Sequence, residues 1–118
     1  MTNDKRPDNP NENSGYFFFK AKGGKWESIN PDDIQYIHAN GNCTDIVMRD
    51  GKQTITSRLG IIMKQITDPR FVQVHRSCYV NMDKLKSFAG RIILIGDEEI
   101  VIGDTYLESF KSHLKLIK

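Results

Sequence analysis

Turn-forming residues recur so closely along this chain that most of it has room only for short extended segments. Gly23-Gly24, Asn30-Pro31-Asp32-Asp33, Asn40-Gly41-Asn42, Asp50-Gly51, Ala89-Gly90, Gly96-Asp97-Glu98 and Gly103-Asp104 each carry residues that accept the backbone geometry of a tight reversal. The intervals between them read as strands at 16–21 and 25–29, flanking a glycine hairpin, then 34–39, 44–49 and 52–56. Further strands are expected at 84–88, 91–95 and 99–102, and 71–81 reads as a strand with an irregular turn. Two intervals read as helix instead. In 57–66, with Thr56 or Ser57 as cap, Leu59, Ile62, Met63 and Ile66 recur at helical spacing until Asp68-Pro69 ends the run. In 104–116, Asp104 is placed to cap, and Tyr106, Leu107, Phe110, Leu114 and Ile117 form an apolar face. The expected class is mainly β with two helices.

A length of 118 residues fits one domain. A core of that size buries roughly 65% of the surface an unfolded chain exposes, so neither a disulfide nor a metal is required. Residues 1–15 are rich in Asn, Asp and Pro and hold no large apolar side chain after Met1. Such a stretch cannot offset its ordering entropy and is expected to be a disordered tail or linker, leaving the domain at 16–118. It has no apolar segment to serve as a secretory signal, and no apolar run approaches the ~20 residues of a membrane span. A cytoplasmic protein without membrane contact is expected. Cys43 and Cys78 stand far apart and without nearby histidine ligands, so they are expected to be free thiols with no metal site.

Net charge, +2, says little, but its distribution is uneven. Between 51 and 91 lie Lys52, Arg58, Lys64, Arg70, Arg76, Lys84, Lys86 and Arg91 against only Asp68 and Asp83. Between 97 and 108 lie five acids and no base. A basic middle is either a nucleic-acid footprint or a solvated face. Helix-turn-helix and zinc-finger modes are excluded by the element pattern, so any DNA contact must come from strands and loops.

Catalysis has little support. His75, Ser77 and Cys78 are close in sequence, yet such adjacency is poor evidence, because neighbouring residues on a strand point to opposite faces. No carboxylate pair, phosphate loop or metal spacing accompanies them. No catalytic residue and no cofactor is assigned.

The run Phe71-Val72-Gln73-Val74-His75-Arg76-Ser77-Cys78-Tyr79-Val80-Asn81 is the most distinctive in the chain. It resembles the signature segment of LytTR DNA-binding domains. Asp32-Asp33-Ile34-Gln35-Tyr36-Ile37 with Gly41-Asn42, and Met82-Asp83-Lys84-Leu85-Lys86, agree with the same family, so the resemblance spans 16–118. It implies an elongated arrangement of small antiparallel sheets and a bacterial transcription-regulator output domain. As in response regulators of two-component systems, a receiver domain or sensor partner outside this chain is the expected source of its signal, whether the domain is free-standing or part of a longer regulator. The implied partner is double-stranded DNA; because one domain contacts little surface, use as a homodimer on repeats is expected. In the family's mode two loops reach bases in successive major grooves while a middle loop holds the intervening backbone. By position these are Asn42, Cys43 and Thr44; Arg76 and Ser77; and Asp104, Thr105 and Tyr106.

The side chains suit those roles in part. Arg76 is a permanently charged fork for phosphate or guanine, and Asn42 carries the donor and acceptor that adenine reading needs. Each also has a structural alternative: an ion pair for Arg76, turn geometry for Asn42. Cys43 reads as an inert filler, His75 as a core or hinge residue bonded to backbone, and Asn81 as a side chain that satisfies buried backbone groups. A helix start at Asp104 offers amides to a phosphate, but the Asp104 charge opposes an anion there. The third loop, Gly103-Asp104-Thr105-Tyr106, lacks the basic residues that family members commonly carry. The rival reading is therefore a β-rich protein-interaction module that has lost DNA binding.

Overall fold

The computed structural model describes residues 16–118, and the tail expected at 1–15 lies outside them. Among the described residues, ten strands form three antiparallel sheets. β1 (Phe17–Lys20) pairs with β2 (Trp26–Ile29). β3 (Ile34–Asn40), β4 (Cys43–Met48), β5 (Gly51–Ile55), β6 (Phe71–His75) and β7 (Cys78–Asn81) make a five-stranded sheet in the order β5-β4-β3-β7-β6. β8 (Leu85–Ala89), β9 (Ile92–Ile95) and β10 (Glu98–Val101) make the third sheet, ordered β10-β9-β8. The helices are α1 (Leu59–Gln65) and α2 (Leu107–Ser112). The mainly β class with two helices is thus the observed one.

The five-stranded sheet is the middle layer because both its faces are apolar. Period-two alternation sends Val74, Cys78 and Val80 to one face, where they pack with Ile93, Ile95, Ile102 and Phe110 of the third sheet and α2. Ile34, Ile37, Ile46 and Phe71 point to the other face and meet Ile29 and Leu59, with Phe17, Phe19, Met63 and Ile66 packed around them. The two cores lie side by side rather than as one sphere. The radius of gyration is 15.3 Å and the principal extents are 50 × 33 × 25 Å, against roughly 13 Å for a compact domain of this length. The elongated arrangement of small sheets follows.

Both helices are shorter than expected. α1 begins with Arg58 as N-cap and no side-chain cap, where Thr56 or Ser57 had been expected. The Ser57 carbonyl accepts the Thr44 hydroxyl at 2.7 Å, which ties this residue to β4. α1 closes with the Ile66 amide on the Ile62 carbonyl, before Asp68-Pro69 is reached. At the other end, 104–106 is a 3₁₀ turn with no side-chain cap, and α2 proper starts only at Leu107. It stops at His113, where the His113 ring and the Ser112 hydroxyl both turn back to the Ser109 carbonyl, at 2.7 and 2.6 Å. Ile117, assigned to the apolar face, is 89% exposed because no layer remains beyond Leu114 for it to pack against.

Candidate nucleic-acid interface

Successive antiparallel strands put several turns at the same end of the middle sheet. β3 and β4 are joined by Gly41-Asn42 between the paired Asn40 and Cys43, with Gly41 at φ +63°, a value that favours glycine. β6 and β7 are joined by Arg76-Ser77 between the paired His75 and Cys78. Because β3 is antiparallel to both β4 and β7, these two turns lie together, and the Ala39 amide donates to the Ser77 carbonyl at 2.9 Å. The 103–106 segment joins them from the third sheet: the Gly103 amide donates to the Val74 carbonyl at 2.8 Å. A β-carbon on Gly103 would stand 3.2 Å from the Tyr106 ring and 3.7 Å from that of His75. The missing side chain lets the Tyr106 ring close over the backbone.

The residues assigned to these loops do not all face outward. Asn42, Arg76 and Thr105 are exposed. Arg76 makes no ion pair among the described residues. Cys43 is half-buried with a free thiol. Tyr106 is half-buried, its body packed on the first core. Thr44 is a correction: it is wholly buried and its hydroxyl is donated to Ser57, so it braces the first loop from below and has no surface to offer a base.

Ser77 is engaged within its own turn. Its amide donates to His75 Nδ1 at 3.2 Å, and its hydroxyl oxygen lies 3.0 Å from the same nitrogen. His75 bonds to backbone as expected, but as an exposed clasp rather than a core residue. His75 and Ser77 meet within the turn. Cys78 does point away; it is buried, and burial pushes its thiol up to about 12, so it holds its proton near neutrality.

Below the first loop sits Asp45, almost fully covered by neighbouring polar side chains. It accepts from Thr54 Oγ1 at 2.6 Å, Asn40 Nδ2 at 3.2 Å and Lys52 Nζ at 3.4 Å, with His38 Nε2 at 3.6 Å. The Thr54 hydrogen bond foremost, then the Lys52 and His38 charges, hold its carboxyl below the ordinary value against the opposing effect of burial. Asn40 immediately precedes the Gly41-Asn42 turn, so this cluster steadies the loop's base.

The basic residues of 51–91 divide in space. Arg58 follows Ser57 and stands exposed beside the first loop. Arg91, in the two-residue turn between β8 and β9, reaches the third loop and pairs with Asp104. Its position is set by the backbone, since the Ile102 amide donates to the Arg91 carbonyl at 2.7 Å. Neither residue had been assigned to a loop. Arg70 lies at the opposite end, next to the Phe71–Asn81 pairing. It is neutralised there by Asp68 at 2.7 Å, Asp32 at 2.6 Å and Asp83 at 3.5 Å. Its hydrogen bond lowers the Asp68 carboxyl. Lys52, Lys84 and Lys86 line an open groove shared with Asp97 and Glu98.

Exposed arginines and a donor–acceptor amide thus stand on clustered loops of a β-rich domain. The chain matches the family model of the LytTr DNA-binding domain over residues 24–115, and it belongs to that family. Among solved structures, it is similar to a LytTr DNA-binding domain from Bacillus cereus, with a TM-score of 0.68 and 17% identity. That match covers 83% of this chain and 94% of the other. Among curated proteins, none matches the chain in sequence. None of the described helices is long and apolar enough to cross a membrane.

Proposed function

We propose that this domain binds double-stranded DNA sequence-specifically through its three-loop end and serves as the output of a bacterial transcription regulator. The observation that carries this reading is Arg76, exposed and without an acidic partner among the described residues, between two further loops at one end of the domain. Asn42 and the third loop, through Thr105 and Tyr106, reach successive major grooves, Cys43 lines the first contact, and the Arg76-Ser77 turn grips the phosphates between them. Arg58 extends the first contact.

A single domain offers few contacts, so two copies act together as a homodimer on repeated half-sites. The protein works in the cytoplasm, is not an enzyme, and needs no cofactor. Its signal comes from a receiver domain or sensor partner, as in a two-component response regulator. Selection from a random duplex library at 150 mM salt tests the whole reading. Enrichment of a motif repeated at about one helical turn, 10–10.5 base pairs, is expected. Recovery of unenriched sequence would favour the protein-interaction alternative, for which the acids between 97 and 108 are the chief support.

A further inference from the structure

We propose that Arg91 and Asp104 form an exchangeable ion pair at the third loop: Asp104 occupies the guanidinium in the free domain, and a DNA phosphate replaces it in the complex. This inference rests on the DNA-binding reading above and adds to it a tuning residue and a cation that the loop's own sequence lacks. Three observations lead to it. First, the Arg91 backbone is locked beside the loop by the Ile102 amide, and the Gly103 amide locks the loop in turn to β6. The guanidinium therefore starts from the loop region even without its partner. Second, the pair is open, with side chains 50% and 80% exposed, and exposed pairs are held weakly enough to exchange. Third, Asp104 directly precedes Thr105 and Tyr106, so the pair stands where the third contact is proposed.

Carboxylate and phosphate present the same kind of paired oxygens to a guanidinium, so one can replace the other without moving Arg91 far. The replacement is not free of consequence. Once displaced, the Asp104 carboxylate remains near the phosphate and repels it. Asp104 thus holds Arg91 in readiness while lowering affinity, which makes the domain a deliberately modest binder at this loop.

The test is fluorescence anisotropy of the full chain on a labelled duplex of fixed sequence at 50 mM salt and above. It compares the parent, Arg76→Ala, Arg91→Gln, Asp104→Asn and the Arg91→Gln/Asp104→Asn double variant, with circular dichroism confirming that each is folded. Arg91→Gln is expected to weaken binding about 3- to 10-fold and make the log–log salt slope shallower by about 1, as loss of one phosphate contact does. Asp104→Asn is expected to tighten binding by a similar factor, about 3- to 10-fold, through removal of the competing anion. In the double variant that gain falls to about a third or less of its value, because the two residues act through one another. An undiminished gain in the double variant, or an Asp104→Asn variant that binds like the parent, would overturn the exchange. If Arg76→Ala weakens binding while Arg91→Gln does not, the exchange alone is lost and the DNA-binding reading stands. A parent that binds no duplex at 50 mM salt overturns both.

Discussion

The carboxamide of Asn81 serves three backbone groups with one buried side chain. Nδ2 donates to the Ile34 carbonyl at 2.8 Å and reaches the Pro31 carbonyl at 3.5 Å, while Oδ1 accepts the Asp83 amide at 2.9 Å. Asn81→Ala leaves those groups without partners in the core and is expected to cost about 2–3 kcal/mol, seen as a lower urea midpoint. This role was legible in the sequence because a polar residue closing an apolar strand must satisfy something. The burial of Thr44 was not, since its partner carbonyl at Ser57 comes from beyond another strand. Asp45 and Asp68 add a dependence on pH. Both carboxyls are lowered in the folded state, so their stabilisation is complete above the ordinary aspartate value of about 4 and is lost as pH falls through the lowered ones. The melting temperature should drop below about pH 4. Asp45→Asn should melt lower than the parent at pH 7 and show a flatter acid limb; identical limbs would mean that Asp45 is not the titrating group.

Hairpins are where the chain declares itself most clearly, because a glycine turn and a two-residue alternation are both local signals. Each of the β3–β4, β8–β9 and β9–β10 turns carries a glycine at positive φ. The helices were less legible. An apolar period in 104–116 continues past the point where any layer remains to receive it, and only packing decides where α2 stops. Phe110 is that packing: fully buried and edge-on to Phe88 with ring centres 5.4 Å apart. Phe110→Ala is expected to cost about 3–5 kcal/mol. It should also loosen the third loop, measured as faster amide exchange at Gly103 and Tyr106 relative to Ala39, which the other core supports. Equal acceleration at all three amides would show that α2 does not specifically hold the loop.

At the scale of the whole molecule, charge is sorted by which end of the middle sheet it reaches more than by sequence. The basic middle reads as one stretch, yet folding carries Arg58, Arg76 and Arg91 to the loop end and leaves Arg70 among three aspartates at the other. A one-dimensional count does not show this, because Asp68 alone is near Arg70 in sequence, while Asp32, Asp83 and the Asp104 partner of Arg91 come from distant segments. The consequence is a small cationic contact. With three arginines facing DNA as proposed, the log–log salt slope per domain should be on the order of −3. Arg76 should carry the largest share, since Arg91 is partly neutralised and Arg58 lies at the flank. The most direct measurement is therefore the affinity of Arg76→Ala for the selected duplex across a salt series, read beside its melting temperature. The account expects an unchanged melting temperature, a loss of about 1–3 kcal/mol in binding and a salt slope shallower by about 1. An Arg76→Ala protein that folds normally and binds the duplex as tightly as the parent would contradict it.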